Sequence, residues 1–168
     1  MVNFASLALC LALVTGSSAA AQAPVVSPPP SVTPSPAAAA GAAFLAANAK
    51  APGVVTLPSG LQYKVITSGP KTGPSPKLGD IIKVHYEGKL LDGTVFDSSF
   101  ERGQAAIMPA EGLVPGWMEA LPLMKVGDEW TLYLPASLGY GDRAAGPIPP
   151  NSVMVFRLQL IGMLSVDG

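Results

Sequence analysis

Among 168 residues there is one histidine, His85, and one cysteine, Cys10. That narrows the chemistry at once. A hydrolase needs a nucleophile beside a base, and Asp97 with Ser98-Ser99 are the residues that could complete a triad around His85. His85, however, alternates with an apolar series, so it points out from its strand with Lys83 and Glu87 as a surface histidine. No G-x-S-x-G turn is present to raise a serine. A zinc site fails on numbers, with one His and a single Cys near the N-terminus, so no metal is expected. No Gly-rich loop follows a strand and opens a helix, which removes the case for a nucleotide. What remains is a set of aromatics close to turns: Tyr86, Phe96, Trp117, Tyr140 and Phe156. A small core accounts for Trp117 or Phe156 taken singly. Tyr140 is harder to absorb, because it lies between glycines in Leu138-Gly139-Tyr140-Gly141-Asp142, where a buried aromatic is not expected. Asp97, followed by two serines, reads equally as a turn or cap residue.

The elements that must hold these residues show in the apolar spacing. Leu61, Tyr63 and Val65 alternate with Gln62 and Lys64. Ile82, Val84 and Tyr86 alternate with Lys83, His85 and Glu87. Trp130, Leu132 and Leu134 form a third series, and Met154, Phe156, Leu158 and Leu160 a fourth. Each is the signature of a half-buried strand. Asp92-Gly93 marks a tight turn between Leu90-Leu91 and Thr94-Val95-Phe96. One helix of about two turns is expected from Pro115, with Trp117 and Leu121 on one face and Pro122 as its stop. The result is an α+β domain, an antiparallel sheet with one short helix on a face.

Charge divides the chain. Residues 1–49 carry no charged side chain, and all ten Lys+Arg and eleven Asp+Glu lie beyond them. A near-neutral balance with no basic stripe argues against nucleic acid. Beyond the N-terminal region no apolar run reaches the ~20 residues of a spanning helix. Phe4–Val14 has the length of a secretory h-region and Ala19-Ala20-Ala21 suits cleavage, so 1–21 is read as a signal peptide. Met1-Val2-Asn3 lacks the usual Lys or Arg, which leaves an uncleaved N-terminal anchor as the alternative. Removal of the leader removes Cys10, and with it disulfides, thiol catalysis and cysteine metal sites. Residues 22–53 are rich in Pro and Ala and read as a linker or tether, with a short helix over 37–50 ended by Pro52-Gly53. Residues 54–168 are the folded domain.

Five blocks identify a family resemblance. Val84-His85-Tyr86-Glu87-Gly88, Asp92-Gly93-Thr94-Val95-Phe96-Asp97-Ser98-Ser99, Val114-Pro115-Gly116-Trp117, Leu138-Gly139-Tyr140-Gly141 and Ile148-Pro149-Pro150-Asn151 resemble, in order and approximate spacing, the FKBP-type peptidyl-prolyl cis–trans isomerases. Phe44–Ile66 looks like the entry to the catalytic domain of exported bacterial members. The resemblance implies a twisted antiparallel sheet wrapped around the short helix, holding the substrate proline in an aromatic pocket. It implies catalytic roles for Asp97, Tyr140 and Phe96, with Asp97 polarising the twisting amide or holding the pocket's polar edge. Substrate contacts are implied for Tyr86, Val114, Trp117, Ile148 and Phe156, with Trp117 as the floor. The Tyr140 hydroxyl and the Val114 N–H would meet substrate carbonyls, and Arg102, grouped with the substrate-binding positions, would pair with the Asp and Tyr side chains nearby.

No cofactor is implied. Partners would be proline-containing unfolded or partly folded polypeptides and, as candidates for the same pocket, macrolide inhibitors. Ala105 stands where many members place another aromatic, which predicts a more open wall, and the loop after Tyr140 is short. These two departures motivate the alternative of a non-catalytic proline-directed binding or chaperone module. With only 37–50 to stand for the long helical domain of dimeric members, a monomer is expected, in the periplasm.

Overall fold

The computed structural model describes residues 35–166; the expected leader 1–21, with Cys10, and the Pro-rich segment 22–34 lie outside the described residues. Helix α1 (Pro36–Asn48) comes first, followed by β1 (Val54–Thr56), β2 (Gln62–Thr67), β3 (Ile81–Leu90), β4 (Val95–Ser98) and β5 (Ala106–Pro109). Helix α2 (Pro115–Ala120) precedes β6 (Glu129–Leu134) and β7 (Met154–Leu164). The seven strands form one antiparallel sheet in the order β1-β2-β6-β7-β3-β4, with β5 also paired to β3. Among the described residues no helix is long and apolar enough to cross a membrane.

The core lies between α2 and the inner face of the sheet. Ile82 and Val84 of β3, Leu132 and Leu134 of β6, and Met154, Leu158 and Leu160 of β7 are fully buried there, against Trp117, Ala120 and Leu121. Burial of each large apolar side chain contributes about 1.5–3 kcal/mol. Helix α2 is short for the reason its sequence states. Pro115 occupies its first turn, and after Ala120 the chain passes into a 3-10 turn, Leu121–Leu123, around Pro122.

Four series of alternating residues predicted four strands, and seven are present among the described residues. The three others have three or four residues each, too few for a period of two to register. The alternation itself breaks in β2, where Gln62 is 3% exposed and Val65 is 40% exposed. The cause is α1. The Gln62 amide donates to the Leu45 carbonyl at 2.8 Å and accepts from the Asn48 side chain at 2.8 Å. Phe44 lies against Tyr133, with ring centroids 5.9 Å apart. A buried amide with both ends matched is tolerated where an unmatched one is not. From Ser35 onward the expected tether is therefore a helix fastened to the outer face of the sheet. Ser35 caps it, its hydroxyl accepting from the Ala38 N–H at 3.2 Å.

Candidate functional site

Four aromatic rings meet edge to face, in three pairs, at the centre of the inner face. Trp117 of α2 lies 5.3 Å from Tyr86 of β3 at 83° and 5.4 Å from Phe156 of β7 at 81°. Phe96 of β4 meets Phe156 at 5.5 Å and 83°. Each pair has the tilted geometry that ring quadrupoles favour. Gly88 makes room for this arrangement, since a Cβ there would lie 2.5 Å from Phe96 and 2.7 Å from Phe156.

Above the rings opens a cavity of about 630 Å³, a size suited to a small ligand or a short peptide segment. All eight residues expected in a pocket line it: Tyr86, Phe96, Asp97, Val114, Trp117, Tyr140, Ile148 and Phe156. Arg102, expected with them as substrate-binding, is not among the lining residues and meets the cavity only through Asp97 and Tyr86. Ala105 is not among the lining residues; the side chain on that wall is Met108 of β5. The pairing of β5 with β3 explains the change, because Ala106 and Met108 turn toward the core while Ile107 is exposed. The short loop after Tyr140 also contributes, through Ala145 and Pro147. Met108, Ala145 and Pro147 carried no signal of their own in the sequence, being single small or aliphatic residues in short segments.

The polar edge is a closed network. The Tyr86 hydroxyl donates to one oxygen of Asp97, and the Arg102 guanidinium donates to the other. Arg102 also donates to the Tyr86 oxygen at 3.1 Å. Partial burial pushes the Asp97 carboxyl up, but the bonds from Tyr86 and Arg102 outweigh it and hold the group below the usual carboxylate range. Burial and the neighbouring carboxylate push the Tyr86 phenol up, against the pull of Arg102. With both oxygens engaged, Asp97 is a fixed acceptor at the pocket wall.

The opposite rim is a loop tied at several points. The Gly141 N–H donates to the Ala136 carbonyl at 2.8 Å, and the Asn151 N–H donates to the Gly141 carbonyl at 2.7 Å. Asn151 adopts φ 59° to do so, the only positive φ outside glycine among the described residues. Ala145 and Ile148 exchange two bonds of 3.0 Å, which turns buried Ile148 into the cavity. Tyr140, 44% exposed, leans over the opening from this loop. Val114 contributes its backbone at the start of α2. Its carbonyl receives the Trp117 N–H at 2.9 Å, and its own N–H meets no backbone carbonyl among the described residues.

The residues of the candidate triad do not assemble as one. His85 Nδ1 is 2.9 Å from the Ser99 oxygen, yet Ser99 is fully buried and Asp97 faces Tyr86 and Arg102 instead. His85 is half-buried on the outer face, stacked on Phe100 at 4.7 Å.

Comparison with known proteins gives one answer. The sequence family described as FKBP-type peptidyl-prolyl cis-trans isomerase matches residues 73–161, and the domain amino terminal to such isomerases matches residues 32–65. The chain is 50% identical over 122 residues to the peptidyl-prolyl cis-trans isomerase Mip of Coxiella burnetii, covering 72% of this chain and 52% of that protein. It is 51% identical over 127 residues to the FKBP-type 22 kDa peptidyl-prolyl cis-trans isomerase of Escherichia coli, covering 75% and 61%. The chain thus spans little more than half the length of these relatives. The crystal structure of a peptidyl-prolyl cis-trans isomerase from Pseudomonas syringae superposes with a TM-score of 0.71 at 34% identity, covering 79% of this chain and 98% of that one.

Proposed function

The chain belongs to the FKBP-type peptidyl-prolyl cis–trans isomerases, and from that premise we propose that its own cavity accelerates rotation about X–Pro bonds in polypeptides. The observation that carries the reading is the convergence of Tyr86, Phe96, Asp97, Val114, Trp117, Tyr140, Ile148 and Phe156, from separate stretches of chain, on one cavity.

The chemistry suits such a site. Rotation must overcome a barrier of ~18–20 kcal/mol that arises from amide resonance, with no bond made or broken. A planar amide is more charge-separated than a twisted one, so an apolar pocket disfavours the ground state relative to the transition state. In this proposal the proline ring rests on Trp117 between Tyr86, Phe96 and Phe156. The Tyr140 hydroxyl and the Val114 N–H donate to carbonyls flanking the bond. Asp97, already committed to Tyr86 and Arg102, keeps the polar edge in place.

Substrates are proline-containing segments of unfolded or partly folded proteins, and macrolides are candidate competitors for the pocket. We assign residues 1–21 to an export signal and the working location to the periplasm, with an uncleaved anchor as the other outcome, and take the protein to act as a monomer. The deciding experiment is a protease-coupled assay of X–Pro peptide relaxation with the chain from Gln22. Acceleration is expected, whereas binding without acceleration would replace the enzyme by a proline-directed binding module.

A further inference from the structure

Strand β3 has β7 along one side. Its other side is shared, with β5 pairing Ile81–Val84 and β4 pairing Glu87–Lys89. Between the two, at His85 and Tyr86, the neighbouring chain has left the sheet in the excursion 99–105 that carries Arg102. A backbone N–H and C=O abandoned in this way, inside a domain, would be costly. They are matched by one residue. The Ser99 oxygen accepts the Tyr86 N–H at 2.8 Å, the Ser99 hydroxyl reaches the Tyr86 carbonyl at 3.2 Å, and the Ser99 N–H donates to that carbonyl at 2.9 Å. The same oxygen lies 2.9 Å from His85 Nδ1, which donates or accepts there according to its tautomer. Ser99 is fully buried.

We propose that Ser99 is a positioning residue of the isomerase site: its side chain replaces the missing strand neighbour of Tyr86 and so fixes where the Tyr86 hydroxyl meets Asp97. The assignment rests on the reading of the cavity as the substrate pocket. It also explains how the chain leaves the sheet to bring Arg102 back onto Asp97 without releasing the wall residue between them. Tyr86 is held at both ends, by Ser99 at its backbone and by Asp97 and Arg102 at its hydroxyl.

Ser98 supplies the control. It is buried next to Ser99 on the same strand end, but its hydroxyl serves the Glu101 N–H at 3.2 Å and does not touch Tyr86. The test compares Ser99→Ala with Ser98→Ala in the chain from Gln22, below their melting transitions. It reads kcat and KM on an X–Pro peptide and the Asp97 carboxyl titration by 13C NMR. Ser99→Ala is expected to lower kcat/KM by about tenfold, as misplacement of a site group does, and to move the Asp97 titration up toward the ordinary carboxylate range. Ser98→Ala should leave both near wild type. Equal behaviour of the two variants in both readouts overturns the assignment. Should Ser99→Ala fail to fold, Ser99→Cys, a weaker acceptor, takes its place, and wild-type behaviour in both readouts again overturns it. An unmodified chain without isomerase activity would overturn the functional reading instead, while the Asp97 titration would still decide the role of Ser99.

Discussion

The Tyr86 hydroxyl on β3 donates to the Asp97 carboxylate on β4, eleven positions along the chain. An aromatic wall and a charged edge are thereby one unit, and Arg102 closes it from the far side. Asp97→Ala should lower kcat/KM by about tenfold or more, through loss of a fixed acceptor and release of Tyr86. The melting temperature should change little, because the Asp97–Arg102 pair is about half exposed and ion pairs in contact with solvent contribute about 0–1 kcal/mol. Peptide kinetics and a thermal melt of the same sample check both halves.

Tyr140→Phe removes one hydroxyl from a half-exposed side chain on the loop rim. Stability should be unchanged, and kcat/KM should fall by about three- to tenfold if one hydrogen bond to the twisting substrate is lost. An unchanged rate would remove Tyr140 from the list of donors.

Two depressed carboxyls set the acid limits. Asp80 is buried and accepts the Lys77 N–H at 2.8 Å and the Val166 N–H at 3.2 Å. The Lys77 bond is the main cause that holds its carboxyl below the ordinary value, against burial. A group depressed on folding stabilises above its unfolded pKa, and that stability is lost as pH falls through the folded value. Asp80→Asn should therefore lower the melting temperature near about pH 7 and narrow its difference from wild type near about pH 3. Asp97 has the same sign, so activity should persist through mildly acidic pH and fall only below the ordinary carboxylate range.

Gly88→Ala should damage the pocket from within. The added methyl has no space beside Phe96 and Phe156, and overpacking of this kind costs about 1–3 kcal/mol. A denaturant melt should show the loss, together with lower kcat/KM.

Asn151 separates a backbone requirement from a side-chain one. Glycine adopts its φ freely and a β-branched residue does not. Asn151→Gly should keep wild-type activity within about twofold, whereas Asn151→Val should lose the bond to Gly141 and raise KM through the loop, at a strain of about 1–3 kcal/mol.

The legible parts of the molecule were those with long repeats or unusual residue types. The series ending in Leu160 placed β7, and Pro115 with Pro122 bounded α2. Seven of the eight pocket residues were carried by the family motifs, and the eighth, Phe156, by the alternating series of its strand together with the resemblance. Met108 was missed because β5 has four residues, and the open wall was assigned to Ala105 because the turn of that strand toward the core depends on its pairing with β3. Gln62 defeated the alternation because its partner, α1, lies outside the domain that the period of two defines. Ser99 was visible as a neighbour of Asp97 and a candidate partner of His85, but not as the partner of Tyr86, which is set by where β4 ends and β5 begins.

The position of β7 governs when the pocket can exist. It lies between β6 and β3, at the middle of the sheet, yet among the described residues it is the strand that comes last in the chain. Without it β3 and β6 have no common neighbour, and Phe156, which touches both Phe96 and Trp117, is missing. Ile81 must find Leu164 across nearly the whole domain, the kind of distant pairing that slows folding. The pocket therefore forms only once β7 is in place, and assembly of the domain waits on its most distant strand pairing.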